Sequence, residues 1–299
     1  MSRITDVQLD AQTIQPTRRP RATGYFNQER RTTIVTTIVL SAITFLMMSP
    51  MLWTVMAATK PTRVAFANPP QFLYQPTLRA FERLLQETDF VSYVVNTLVV
   101  AVLTVVGTLV IAAPAAYALA RYGGRISALI LAVALLFRAI PGFALALPFY
   151  QIANSFGVYD TKLALAIAFI AVDQPFSIWL LRNFFAAIPP ELEEAAMIDG
   201  CSRWGAFARI ILPVTTPGLS VTALLTFLIA FQSYLFPVVL TSINATTVPV
   251  FLATQIGQSL PQLQQAAAGI VLLTLPVIWL AFAAQRYLVA GLTSGAVKG

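Results

Sequence analysis

Two charged residues interrupt stretches of the sequence that are otherwise apolar. Arg138 lies about midway along Ile126–Ile152, and Asp173 lies about midway along Leu163–Leu181. A charge at the centre of a bilayer costs at least about 2.5–3.5 kcal/mol, so we expect both side chains to face the protein interior. Two interpretations are open: a structural ion pair between the two stretches, or contacts with a polar or anionic substrate.

Two further residues could form hydrogen bonds with the same substrate. These are Gln232 and Tyr234, although aromatic residues in such a stretch more often pack between helices. Histidine is absent and Cys201 is the only cysteine, which argues against disulfide frameworks, thiol–zinc sites and histidine-based acid–base chemistry. The Gly-x-x-x-x-Gly-Lys-Ser/Thr loop that cradles nucleotide phosphates is also missing from the sequence. We therefore predict no catalytic residue, no metal site and no cofactor bound directly by this chain.

The composition and the apolar stretches indicate which structural elements carry these residues. Hydrophobic residues make up 58% of 299 positions and charged residues 10%, with a mean hydropathy of +0.75, whereas about a quarter of a soluble domain is charged. Six apolar stretches are each near the roughly 20 residues that cross a bilayer, which predicts an all-α membrane protein with six transmembrane helices. They are Ile34–Ala58, Val91–Ala120, Ile126–Ile152, Leu163–Leu181, Gly218–Leu240 and Ala266–Ala284. Pro141-Gly142 interrupts the third, Pro175 interrupts the fourth, and the polar stretch Thr241–Gln265 separates the last two.

The distribution of positive charge predicts the orientation. With six spans and the N-terminus inside, 13 Lys and Arg residues fall on the cytoplasmic side and 5 outside. Both the N- and C-termini should therefore be cytoplasmic. The net charge of +7 is explained by these positive residues on the cytoplasmic side of the membrane. We therefore predict no nucleic-acid partner. The predicted organisation is a cytoplasmic tail (1–33), a transmembrane domain (34–288) and a second cytoplasmic tail (289–299).

The cytoplasmic loop at residues 189–213 carries a local helix pattern. Pro189-Pro190 stops the preceding span, and three acidic residues suit the first turn of a new helix: Glu191, Glu193 and Glu194. Gly200 is placed to end that helix in a conformation with positive φ. On composition alone, the loop is an ordinary interfacial connector.

The order of residues in this loop resembles the "EAA" loop of binding-protein-dependent ABC permeases. Five positions match that motif: Glu194, Ala195, Ala196, Asp199 and Gly200. The resemblance extends along most of the chain and is closest to the smaller subunit of maltose-type carbohydrate permeases. Further matches are Asn96-Thr97, Ala115–Tyr122, Pro148–Tyr150, Gly157–Thr161 and the ending Gln285–Gly299. One departure is Phe231-Gln232-Ser233, where the family usually carries a carboxylate after the aromatic and amide residues.

The resemblance implies a type I ABC importer permease fold in a bacterial or archaeal cytoplasmic membrane. It implies that the EAA loop couples to an ATPase, so that ATP and Mg²⁺ bind to partner subunits. The implied partners are a second permease subunit forming a heterodimer, an ATPase dimer, an extracytoplasmic solute-binding protein and a sugar or sugar-derived solute. An ion-coupled secondary transporter is the alternative, but such proteins typically carry inverted repeats, and none is detected. A membrane enzyme would need clustered catalytic groups, which the sequence does not offer.

Overall fold

A computed structural model describes the backbone of residues 23–296 except Phe66 and Gln258. Residues 23–32, 284 and 286–296 are described only as helical backbone. The chain divides into two compact units, residues 1–52 and residues 53–299. The predicted tails fall partly beyond this description: residues 1–22 and 297–299 lie outside the described residues, and the bounds of the three predicted domains stay predictions.

The described part of the chain is helical and contains no β-strand, so the predicted all-α class is confirmed. In chain order the helices are α1 (Thr23–Thr59), α2 (Thr62–Ala65), α3 (Arg79–Glu87), α4 (Phe90–Arg121), α5 (Arg125–Arg138), α6 (Gly142–Ser155), α7 (Lys162–Ala186), α8 (Glu191–Ile198), α9 (Arg203–Ala206), α10 (Leu212–Val214), α11 (Thr216–Gln232), α12 (Leu235–Leu240), α13 (Val248–Gln255) and α14 (Leu260–Ala296). A π-helical segment, Phe207–Ile211, joins α9 to α10.

Four helical segments of the described chain are long and apolar enough to cross a membrane. They are Thr33–Thr59 of α1, all of α4, all of α7, and Leu260–Ala283 of α14. Two more spans are present if each bent pair counts as one: α5 with α6, bent by 89°, and Arg203–Val214 with α11, bent by 73°. Counted in this way, the spans are the predicted six.

The bend between α5 and α6 follows the sequence, because Pro141 lies immediately before α6 begins. Pro175, in contrast, does not interrupt the fourth span, since α7 continues through it. The fifth span is not continuous to Leu240: α11 ends at Gln232 and α12 begins at Leu235. The break lies at Ser233, whose backbone is extended, with φ of −67° and ψ of 138°.

The polar stretch between the last two spans also contains helices. α13 lies within it, and α14 begins at Leu260, six residues before the predicted start at Ala266. The first turns of α14 contain Gln262, Gln264 and Gln265. Because these residues are polar, the hydropathy of the sequence does not indicate that the helix begins at Leu260. Both Gln264 and Gln265 are buried against the rest of the chain.

The core is organised around α4, which packs against α7 and α11. Small residues allow these helices to approach closely: a Cβ added at Gly218 of α11 would lie 2.5 Å from Cγ of Phe184 in α7. The central apolar cluster includes Val100 on α4, Phe169 on α7 and Phe231 on α11. Close helix packing through small residues is typical of membrane bundles.

Candidate functional site

The loop helix α8 is held to the end of α4 by a buried carboxylate. Glu193 is 8% exposed, and its Oε2 lies 2.9 Å from Nε of Arg121. Its Oε1 accepts a hydrogen bond from the hydroxyl of Tyr117, one turn earlier on α4. Because charge-assisted hydrogen bonds of this kind are among the stronger ones, α8 is tied firmly to the spanning helix.

Arg121 also joins α8 to the end of α7. Its Nη1 donates to the carbonyl of Ile188 at 3.1 Å and to that of Phe185 at 3.4 Å. Phe185 lies in the last turn of α7, and Ile188 follows two residues after the helix ends at Ala186. One side chain of α4 therefore links two spanning helices and the loop helix.

Beyond α8 the backbone reverses at Gly200. This residue has φ of +90°, as the sequence predicts for a helix-ending glycine. The amide of Cys201 then donates to the carbonyl of Ala196, and Ser202 caps the next helix by accepting from the amide of Gly205. The π-helical segment that follows packs Phe207 and Ile211 against α4 and α7. The chain that follows α8 is therefore packed against two spanning helices.

The five EAA positions do not share one face of α8. Ala196 is 3% exposed, because its side chain packs against other residues of this chain. Its small size suggests a close contact with a partner protein, but in this structure the side chain is covered by the chain itself. Glu194, Ala195, Asp199 and Gly200 are exposed. Two apolar side chains are exposed beside them: Ile198 at 86% and Leu192 at 43%.

Inside the spanning bundle, Asp173 and Arg138 are brought together as an ion pair. Oδ1 of Asp173 lies 3.4 Å from Nη1 of Arg138. Oδ2 accepts hydrogen bonds from the hydroxyls of Ser177 at 2.8 Å and Thr226 at 2.7 Å. Thr226 belongs to α11, so the Asp173 carboxylate connects α5, α7 and α11, which fits the structural interpretation of the pair.

Arg138 nevertheless keeps a surface of its own. It ends α5 at the bend rather than lying inside a continuous span, and its guanidinium stacks on Phe176 with Cζ 4.7 Å from the ring centroid. It also lines a cavity of about 370 Å³ with Phe149, Val172 and other apolar residues. The structural role and a role on the solute path are therefore compatible for Arg138.

Gln232 and Tyr234 lie apart from this ion pair. Both side chains are exposed, at the break between α11 and α12. Among the described residues, neither forms a hydrogen bond with Arg138 or Asp173. Their role as solute contacts stays a prediction.

A loop at the other end of the bundle is fixed by Asp160, a residue without a predicted role. Its carboxylate accepts hydrogen bonds from four consecutive backbone amides at 2.9–3.1 Å: Ser242, Ile243, Asn244 and Ala245. Burial raises the pKa of Asp160, but these amides lower it by more, to about 2. Asp160 itself has φ of +56°, and its amide donates to the carbonyl of Leu240.

The same loop is held from α4 by Asn96 and Thr97. Nδ2 of Asn96 donates to the carbonyls of Asn244 and Thr246, each at 3.0 Å. Oγ1 of Thr97 accepts from the amide of Val248 at 3.0 Å. Two of the motifs that carry the family resemblance, Asn96-Thr97 in α4 and Gly157–Thr161 before α7, therefore both contact the loop before α13.

Sequence reasoning missed the roles of Glu193 and Asp160. For Glu193, a signal was available, because Tyr117 and Arg121 are four residues apart on one face of α4 and at the end of a span. For Asp160, no sequence signal identifies the partner, since its contacts are backbone amides some eighty residues away.

The described part of the chain is an all-helical bundle of apolar spans with a loop helix anchored to them. Residues 108–294 match the family described as "Binding-protein-dependent transport system inner membrane component". The chain therefore belongs to this family of ABC importer permeases. That membership agrees with the predicted permease and not with the ion-coupled alternative.

Curated relatives cover most of the chain. It is 38% identical to the "Probable ABC transporter permease protein y4oR" of Sinorhizobium fredii, over 88% of this chain and 94% of that protein. It is 34% identical to the trehalose/maltose transport system permease protein MalG of Thermococcus litoralis, over 90% and 98% respectively. A solved bacterial ABC transporter that imports the acidic polysaccharide alginate has a chain with the same fold, with a TM-score of 0.73 at 23% identity, covering 87% of this chain and 97% of that one.

Proposed function

We propose that this permease forms half of the translocation path for a sugar or sugar-derived solute and couples that path to a cytoplasmic ATPase through α8. The observation that carries the coupling role is the anchoring of Glu193 by Arg121 and Tyr117. It fixes one side of α8 to this chain while Leu192 and Ile198 remain exposed on another. The sugar class is supported by relatives such as the trehalose/maltose permease.

The assembly proposed for this chain has four kinds of partner. They are a second permease subunit in a heterodimer, an ATPase dimer, an extracytoplasmic solute-binding protein and the solute itself. ATP and Mg²⁺ would bind to the ATPase subunits, so this chain would not catalyse hydrolysis. Relatives from a bacterium and an archaeon support a bacterial or archaeal cytoplasmic membrane.

The proposed orientation places α8 and both termini in the cytoplasm. It rests on the excess of Lys and Arg on that side. A cysteine at the exposed position Gln71 should then react with an impermeant thiol reagent in whole cells, and one at Arg125 only in opened membranes. Both would be made in a Cys201→Ser background, and the opposite labelling pattern would reverse the orientation.

Two exposed isoleucines allow a matched test of the coupling role. Ile198 is 86% exposed on α8, and Ile243 is 79% exposed in the loop held by Asp160. Ile198→Asp puts a charge on the surface that would contact the ATPase, so the ATPase recovered with affinity-purified permease should fall at least about tenfold. Ile243→Asp introduces the same change at the other end of the bundle and should leave recovery unchanged. Full ATPase recovery and ATP-driven uptake with Ile198→Asp would contradict the proposal.

A further inference from the structure

A cavity of about 560 Å³ lies at the end of the bundle opposite α8. Its wall includes Ala80 of α3, which packs in one apolar cluster with Phe90, the first residue of α4. The last residue of α4, Arg121, binds Glu193 of α8. With 32 residues, α4 is about 48 Å long, so the cavity and the coupling helix are separated by the full length of that helix.

The ionisable residues that line this cavity are all basic. They are Lys60, Arg63, Arg79 and Arg83, and no Asp or Glu is among the lining residues. Within the described part of the chain, none of the four forms a salt bridge. Several positive charges around a concave surface produce a concentrated positive potential, which attracts anions.

The wall of the cavity is fixed by a buried amide. Gln264 is 3% exposed, and its Oε1 accepts from the hydroxyl of Thr62 at 2.7 Å. Its Nε2 donates to the carbonyls of Lys60 at 2.7 Å and Ala57 at 3.2 Å. These bonds join the start of α14 to the segment after α1, so the site is formed before a ligand arrives, which lowers the entropic cost of binding.

Lys60 contributes a positive charge that is not neutralised by a carboxylate. Its side chain is buried, and Nζ lies 5.4–5.7 Å from the ring centroids of Trp53, Phe72 and Tyr74. Cation–π contacts with three rings stabilise the ammonium group without cancelling its charge. The potential in the cavity therefore includes a contribution from a cation that is screened poorly by solvent.

We propose that this cavity, at the end of the bundle that the proposed orientation places outside the cytoplasm, binds the carboxylate groups of an acidic saccharide. The inference rests on the proposed sugar class and narrows it to uronate-containing solutes. Arginine guanidinium groups bind carboxylates through paired hydrogen bonds, and three arginines line the site. The volume lies within the 300–1,000 Å³ of small-molecule sites, whereas one acidic side chain of a docking protein would fill only a small part of it.

Binding is tested by isothermal titration calorimetry on the permease subunits with their ATPase dimer in lipid nanodiscs, without the solute-binding protein. The probes are a uronate disaccharide and a neutral disaccharide of the same size. In the double variant Arg79→Gln/Arg83→Gln, the Kd for the uronate disaccharide should rise at least about tenfold. The control Arg125→Gln alters an exposed arginine outside the cavity and should leave this Kd unchanged, and the neutral disaccharide should bind much more weakly throughout.

Three results would overturn the inference. They are no uronate binding by the native importer, an unchanged Kd in the double variant, and equally tight binding of the neutral disaccharide. Weaker attachment of the solute-binding protein, with unchanged uronate binding, would instead make the cavity a protein-docking surface. ATPase recovery in the Ile198→Asp experiment is independent of these results, so failure here would leave the proposed coupling function standing.

Discussion

Asp173 and Arg138 form an ion pair whose two side chains differ in burial. The Asp173 side chain is 2% exposed and that of Arg138 is 36% exposed, with 3.4 Å between Oδ1 and Nη1. Asp173 has two further donors, Ser177 and Thr226, whereas Arg138 also lies over the ring of Phe176. The two partners should therefore respond differently when one of them is removed.

Loss of the arginine should cost more stability than loss of the aspartate. Arg138→Met leaves a buried carboxylate without its cation, and we expect the free energy of unfolding to fall by about 3 kcal/mol. Asp173→Asn keeps an acceptor for the two hydroxyls and leaves a half-exposed arginine, so about 1 kcal/mol is expected. Thermal unfolding of the detergent-purified complex measures both values.

The double variant and a control complete that comparison. Arg138→Met/Asp173→Asn should be more stable than Arg138→Met alone, because no buried charge is left unpaired. Arg125→Met, at an exposed arginine, should change stability by no more than about 0.5 kcal/mol. Additive losses in the double variant, with reduced uptake, would favour separate contacts with the solute.

The loop held by Asp160 should make stability depend on pH. Asp160→Asn keeps one acceptor oxygen but points an NH2 group toward backbone amides, so a loss of about 1–3 kcal/mol is expected near pH 7. The native pKa of about 2 lies below the ordinary value of 3.8. The stabilisation is therefore complete above about pH 5 and is lost as the pH falls from about 4 toward 2.

This dependence is visible as a difference between native and variant proteins. The gap between the unfolding temperatures of the native protein and Asp160→Asn should narrow as the pH is lowered from 6 to 3. Glu82→Gln, at an exposed carboxylate, should show no such gap. A gap of constant size over this range would mean that the charge of Asp160 does not stabilise the loop.

Local patterns in the sequence predicted the parts of the fold that depend on neighbouring residues. Pro141 marks the bend before α6, and Gly200 ends α8 with positive φ, because both effects arise from the backbone of the residue itself. The start of α14 could not be predicted in this way, since Gln264 is buried only because Thr62 and Lys60 supply partners.

The residues of the candidate site likewise include some that the sequence predicted and some that it could not predict. Arg138 and Asp173 were expected to face the interior because the membrane penalises charge, and one of the two interpretations was an ion pair. Hydropathy could not reveal that Ala196 faces this chain or that Glu193, rather than the adjacent Glu194, is buried. The choice between neighbouring residues depends on the side of α8 that meets Arg121, which is a property of tertiary packing.

Glu193 should be required for coupling even though it faces away from the proposed ATPase surface. Glu193→Gln removes the ion pair with Arg121 and leaves a buried amide beside Tyr117, so α8 should lose part of its attachment to α4. We expect a loss of about 1–3 kcal/mol in stability. ATP hydrolysis stimulated by loaded binding protein should fall, while Glu191→Gln, at an exposed carboxylate in the same helix, should leave stimulation unchanged. Equal stimulation in both variants would show that the anchor is not used.

Substitutions at Gly200 and Gly123 distinguish the effect of backbone conformation from the effect of side-chain size. A Cβ added at either residue meets no atom within 4 Å, but only Gly200 has positive φ, at +90°. Gly200→Ala should therefore strain the exit from α8 by about 1–2 kcal/mol, and the larger, β-branched Gly200→Val should cost more. Both variants should insert normally yet show reduced ATP-driven uptake in membrane vesicles, whereas Gly123→Ala should transport like the native protein. Normal uptake with Gly200→Val would mean that the path of the chain beyond α8 does not contribute to coupling, and the loop would then be a connector.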